Sequence, residues 1–280
     1  MLNLAYWVPA HQGVDQNGYI VGGKMLAQHW TMKFVPSLPG SAATFDPHQF
    51  VGRMWVGADH GTASERYYPK YPIGLPLLFA VAMKLGGASG GAVLVYWINP
   101  VAMTLATFAT FYLLRLVGGS FLALLATIAF ATSPVTLGLT NEVNSHATTV
   151  CCVAWGMFFL LRWWQEGGDA PDCETASEGE DRSRWWRWFL VSGASLRRIG
   201  AGVLLGYACT IRYTEGLLVV PLVLVALFNL RWRDWRSWVD SALLGAWWAV
   251  PVLALLTYNV RAIGSLTGYD TTNESTGFAL

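Results

Sequence analysis

Between residues 91 and 260 the chain carries six apolar runs, roughly 91–116, 121–139, 146–164, 199–213, 216–230 and 239–260. A helix of about 20 apolar residues crosses a hydrocarbon core of about 30 Å. Inside that core only helices or closed barrels satisfy their own backbone polar groups. Runs of this kind therefore predict an all-α fold, a polytopic membrane helical bundle. Composition agrees: 54% of the residues are hydrophobic and 12% charged, with 15 Trp, where a soluble domain is about a quarter charged. Pro100, Pro221 and Pro251 fall inside the runs, which membrane helices tolerate when neighbours take up the freed carbonyls. Gly202 and Gly206 form a small-xxx-small face for close helix contact. The 199–213 run is short for a crossing and predicts a helix that is less tilted than the others or ends at a cavity water can reach.

Several functions are excluded at this level. A net charge of +1 supplies no basic field for nucleic acid. Cys151, Cys152, Cys173 and Cys209 contain no CxxC pair and read as small apolar residues, neither zinc ligands nor a disulfide framework. Asp46, His48, Asp59 and His60 lack the usual ligand spacings and read as solvated loop residues. The Gly22-Gly23-Lys24 sequence lacks the frame of a phosphate loop.

Basic residues in short connections set the orientation. Arg115, the Arg182 to Arg198 group and the Arg231, Arg233, Arg236 group predict three cytoplasmic connections. Residues 11–90, the turns near 140–145 and 212–215, and the tail from 261 then lie outside. The organisation expected is an external loop with juxtamembrane helices over 1–90, a transmembrane bundle over 91–260, and the start of another external loop over 261–280. Within 1–90, residues 1–10 are too short to span, and read as an interfacial segment or the outer end of a preceding helix. Residues 15–33 form an amphipathic helix flat on the membrane, 36–70 a long functional loop, and 73–85 a second juxtamembrane helix. The acidic stretch 165–183 reads as disordered, and RSRWWRW at 182–188 as an interfacial anchor.

The sequence HQGVDQNGYIVGGK at 11–24 holds one acid, Asp15. An Asp here caps a helix beginning near Gln16 or acts as a base, and the two roles are compatible. The orientation brings it to the same side as three other polar groups: the turn TNEVNSH at 140–146, the turn RYTE at 212–215 and the tail YDTTNES at 269–275. Arg212 stands between an apolar run and Glu215; it reads as a site cation or as a snorkelling interfacial residue. A base and a cation at one membrane-surface cavity suit transfer of a sugar from a lipid phosphate. Asp15 is the candidate catalytic base. Arg212 and Lys70 are the candidate phosphate-binding residues, and Tyr19, Tyr68, Tyr71, Glu142, Asn144, His146 and Glu215 are candidates for contacting substrate.

The order of these features resembles the membrane glycosyltransferases of the GT-C fold, the group containing protein O-mannosyltransferases and lipid A aminoarabinose transferases. The resemblance is carried by Asp15 in VDQNGYIVGGKML; by Tyr71, Pro72, Gly74, Pro76, Leu77 and Leu78 in a YPxGxPLL-like segment; by Ser133-Pro134; and by Gly202, Gly206 and Arg212 in GxxxGxxxxxR. It implies an inverting glycosyltransferase of the plasma or inner membrane, with its active site on the external face. Its donor would be a polyprenyl-phosphate-linked sugar and its acceptor a hydroxyl group of protein, lipid or glycan. It also implies a first spanning helix before Met1 and a further C-terminal region, so the chain matches an N-terminal portion of such enzymes. Where the family often has Asp-Glu, this chain has Asp15-Gln16. The acid that some members place in the second external loop has Glu142, Asn144 and His146 as its nearest counterparts, which leaves a divalent cation open without naming its ligands. Two other classes remain: a transporter or flippase for an amphipathic or lipid-linked solute, although no internal repeat of the transporter kind is present, and a non-catalytic membrane subunit whose 36–70 loop binds a partner.

Overall fold

The computed structural model describes residues 14–33, 55–57, 67–166 and 193–266. The 1–10 segment, most of the 36–70 loop with Asp46, His48, Asp59 and His60, most of 165–183, RSRWWRW and the 269–275 tail lie outside the described residues. The elements are α1 (Val14–His29), β1 (Trp55–Gly57), β2 (Tyr67–Pro69), α2 (Gly74–Thr132), α3 (Pro134–Asn141), α4 (His146–Glu166), α5 (Gly193–Ile211), a 3-10 helix (Tyr213–Leu218), α6 (Val219–Phe228) and α7 (Trp235–Ala262). The fold is all-α apart from one small antiparallel ribbon, in which Val56 pairs with Tyr68 and Gly57 with Tyr67.

Two glycines divide α2 into three limbs, 74–86, 88–118 and 120–132. Gly87 (φ 62) and Gly119 (φ 76) are non-helical, in the left-handed region that a side chain disfavours. At each the chain folds back. Beside Gly87 the limbs are so close that a Cβ on Gly91 would stand 2.8 Å from the Cα of Met83, and Leu75, Phe79 and Ala82 share a core with Val95. Beyond Gly119, Phe130 and Leu139 return to the core formed by Met103, Ala106 and Ala147. The apolar stretch 91–98 thus serves as the partner of the 74–86 limb, and a bilayer-crossing segment is supplied by the residues after it.

Among the described residues three helices are long and apolar enough to cross a membrane: Gly90–Thr132, His146–Gln165 and Ser237–Ala262. The first contains the reversal at Gly119. This differs from six uninterrupted runs, for local reasons. Pro134 disfavours the α conformation for the residue before it; Ser133 is extended (ψ 132), and the 121–139 run is split between α2 and α3. The 199–213 run lies on α5, which begins earlier, at Gly193, and includes Arg197 and Arg198. The 216–230 run opens as a 3-10 helix and continues as the ten-residue α6. Val101, Leu105, Phe108, Leu122, Leu125 and Ile128 on α2 are exposed, an apolar surface beyond what a soluble monomer leaves uncovered.

Small residues let the helices approach. A Cβ on Gly202 would stand 2.7 Å from that of Trp247, and one on Gly206 would meet the backbone carbonyl of Trp248, so the glycine face of α5 packs directly on α7. Gly156 does the same for α4 against Leu205 of α5. On α1 the buried stripe is Gly18, Tyr19, Gly22, Gly23 and Leu26. Gly22 and Gly23 rest on Pro76 and Phe79 of α2. That is the work of the Gly-Gly pair, and it directs the buried face of α1 toward protein.

At the end of the bundle far from Arg212, Arg198 (3% exposed) forms an ion pair with Asp240 of α7, and Trp163 of α4 donates its indole N–H to the same carboxylate at 2.8 Å. One acid therefore joins α4, α5 and α7. Asp240→Leu should cost about 3 kcal/mol by removing the acid that pairs with a buried cation and accepts the Trp163 indole N–H, whereas combining it with Arg198→Met should recover most of the loss. Chemical unfolding of the detergent-solubilised variants reads this; a double variant as unstable as the single one would contradict it.

Candidate functional site

Arg212 stands just beyond the last residue of α5, with extended backbone (φ −143, ψ 125) before the 3-10 helix. Its position is fixed by its N–H, which donates to Ala208 O at 3.0 Å, and by its carbonyl, which accepts from Glu215 N at 3.1 Å. The guanidinium is half-buried and lies 2.8 Å, NH1 to Nδ1, from His146 at the start of α4. Arginine has no acceptor, so Nδ1 accepts. The imidazole of His146 is thereby assigned as neutral, with its proton on Nε2.

These two residues and Glu215 form the mouth of a cleft of about 380 Å³. Its walls are Thr149, Val150, Val153, Ala154 and Met157 of α4, with Leu113 of α2. At 1.5 Å per residue the α4 wall from His146 to Met157 extends about 16 Å. The cleft is polar at the mouth and apolar along its length. With a cation and an acid at its mouth and apolar walls behind them, it has the make-up of a site for an amphipathic ligand.

A second group adjoins the mouth from α1. The Tyr19 ring is buried (4% exposed) and stacks on Tyr71, with centroids 4.3 Å apart and planes at 29°. Its phenol is hydrogen-bonded to the Ser145 side chain and is within electrostatic reach of both Asp15 and Arg212. Burial holds the phenol above its ordinary pKa, the Asp15 carboxylate adds to the rise, and the Ser145 bond and Arg212 oppose it. Tyr19 is therefore the group that feels both the candidate base and the candidate cation. Asp15 itself is exposed and sits within the first turn of α1, which begins at Val14. This differs from the flanking cap position expected for it, and its charge still complements the helix N-terminus. It does not line the cleft.

The 142–146 turn connects the two groups. Asn144 is buried; its Oδ1 accepts the backbone N–H of His146 at 3.0 Å and its Nδ2 donates to Glu142 Oε2 at 2.6 Å. Glu142 is exposed, with its carboxylate committed to this bond. The remaining candidates fall elsewhere. Tyr68 is buried on β2, with the Lys33 ammonium 5.5 Å from its ring centroid, and Lys70 follows β2, half-buried. Neither lines the cleft. No group of three His, Cys, Asp or Glu residues able to hold a metal occurs among the described residues.

Sequence reasoning missed Asn99. This buried amide donates to the carbonyls of Glu142, at 2.5 Å, and Asn144, at 2.8 Å, and accepts from Thr148 Oγ1 at 3.0 Å. The signal was a lone amide inside an apolar run, which is costly at membrane depth. Comparison with family models, with curated proteins and with solved structures yields no match.

The His146–Arg212 bond should be visible energetically. A double-mutant cycle with His146→Ala and Arg212→Ala, read by unfolding, should give a coupling of about 1–2 kcal/mol. Additivity within about 0.3 kcal/mol would contradict the contact.

Proposed function

We propose that the chain is part of a multi-pass membrane glycosyltransferase that takes a sugar from a polyprenyl-phosphate-linked donor and delivers it to an acceptor hydroxyl. The observation that carries this reading is the Arg212–His146 pair at the mouth of an otherwise apolar cleft. A lipid phosphate needs a cation at the membrane surface and an apolar bed running inward from it, and the cleft offers both.

A bilayer position follows from length. Residues 100–118 of α2 extend about 28 Å, close to a hydrocarbon core of about 30 Å. With Asn99 at one boundary, the 142–146 turn and Arg212 lie at that same face. Arg115, Arg162, Arg197, Arg231 and Arg233 belong to the opposite end. Basic residues there mark the cytoplasmic side, so the cleft opens externally.

In the reaction, the Asp15 carboxylate takes the proton of the acceptor hydroxyl. The acceptor oxygen bonds to the anomeric carbon from the face opposite the phosphate, inverting it. The bond from that carbon to the phosphate oxygen breaks, and its electron pair departs with the lipid phosphate. Arg212 balances the charge gained there, while His146 keeps the guanidinium aimed. Tyr71, half-buried and backed by the buried Tyr19 ring stacked on it, is the aromatic group of this pair that a sugar ring can reach. The protonated acid returns its proton to water after product leaves.

Turnover of a polyprenyl-phosphate sugar by the full chain in lipid vesicles tests this. Asp15→Asn should lower the rate by about 10²- to 10⁴-fold, and Arg212→Ala by about 10²- to 10³-fold, comparable with loss of one group stabilising a developing anion. Turnover of Asp15→Asn within about threefold of wild type would remove Asp15 as the base.

A further inference from the structure

We propose that Asn99 is a positioning residue for anion binding, acting through the 142–146 turn and His146 on the Arg212 guanidinium. This inference rests on the lipid-phosphate reading of the cleft mouth and assigns a role to a residue distant from it in sequence.

Asn99 is 3% exposed and immediately precedes Pro100 on α2. Both amide protons are used on carbonyls two residues apart, Glu142 O and Asn144 O, and its own oxygen accepts Thr148 Oγ1. Two donors on a single planar nitrogen fix both the location and the tilt of the turn relative to α2. Thr148 ties the same amide to the first turn of α4. The turn is thus held from both sides.

Asn144 passes that placement on. Its side chain accepts the backbone N–H of His146, a bond of helix-cap type, which sets where α4 begins and where the imidazole projects. The imidazole then accepts from Arg212. The path is Asn99, the turn backbone, Asn144, His146 and Arg212, and each link is a single hydrogen bond or a directly bonded segment. A guanidinium at the end of a helix, beside an open cleft, has many rotamers of similar energy. One acceptor at 2.8 Å selects among them before any ligand arrives, which is the preorganisation that raises affinity.

The opposing role is purely structural: Asn99 satisfies two carbonyls and nothing more. The two roles differ in what a substitution changes. Loss of stability is common to both, but loss of phosphate affinity that an acceptor at position 146 restores belongs only to positioning. Asn can provide that acceptor, because its Oδ1 occupies nearly the place of His Nδ1 and does not titrate.

The test is equilibrium binding of polyprenyl monophosphate to the full chain in nanodiscs, with the uncharged polyprenol as control. Asn99→Ala and His146→Ala should each weaken monophosphate binding by about tenfold. His146→Asn should stay within about threefold of wild type, and polyprenol binding should be unchanged throughout. Arg212→Ala separates the two levels. If wild type fails to prefer monophosphate over polyprenol, or Arg212→Ala binds it as wild type does, the lipid-phosphate reading fails and the Asn99 role with it. If Arg212→Ala loses affinity while Asn99→Ala and His146→Ala keep it, the phosphate site stands and the positioning role is overturned. Failure of His146→Asn to recover what His146→Ala loses overturns it equally. Should Asn99→Ala not fold, Asn144→Ala, which releases the His146 N–H with Asn99 left in place, is judged by the same tenfold criterion.

Discussion

Polar groups on apolar helices must be satisfied by the protein itself, and the arrangement of this chain depends on how it does so. Along the helices, side-chain hydroxyls bond back to the preceding turn, as Thr104 does to Pro100 O and Thr107 to Met103 O. Between helices, polar bonds gather at the ends. At one end Asp240 joins α4, α5 and α7. At the other, Asn99 clamps the turn before α4, His146 accepts from Arg212, and the Tyr207 hydroxyl donates to Gly74 O at 2.9 Å. The middle holds the bond from the Trp155 indole N–H of α4 to Leu105 O of α2, at 3.0 Å, and close contacts such as Gly202 and Gly206 against α7. A bundle fastened this way has a rigid polar rim, and the candidate site is part of that rim.

The consequence for chemistry is that Arg212 is held by backbone and side chain alike, whereas Asp15 lies on an element attached through small residues. α1 rests on α2 at Gly22 and Gly23 and meets the rim through Tyr19. An acid so placed is solvated, and the cation sits at the mouth of an apolar cleft.

Much of this could be read from the letters and part could not. Arg212 stood out because a cation between an apolar run and an acid has no reason to face lipid, and the glycines of α5 because their spacing is helical. The turn 140–146 was recognisable as a polar island. Asn99 was hidden because one amide hardly alters an apolar run, and its partners, the carbonyls of Glu142 and Asn144, are distant in sequence. The reversal at Gly87 was equally obscure: 73–85 read as a juxtamembrane helix and 91–98 as the start of a spanning run, and only packing shows that they cover one another. Gly22-Gly23 lacked the frame of a phosphate loop and was given no role from sequence, and the structure makes it a helix contact. Asp240 passed unnoticed because pairing with Arg198 requires two helix ends to meet in space.

The central claim is that a lipid phosphate lies with its head at Arg212 and His146 and its tail along α4. Photocrosslinking with a polyprenyl phosphate that carries a diazirine near the head end tests it most directly, followed by peptide mapping of the labelled chain in lipid vesicles. The account predicts labelling at Val150, Val153 and Met157, lost when Arg212 is replaced by Ala. Labelling confined to the exposed apolar surfaces of α6 and α7, such as Val223 and Leu253, and indifferent to Arg212 would contradict it.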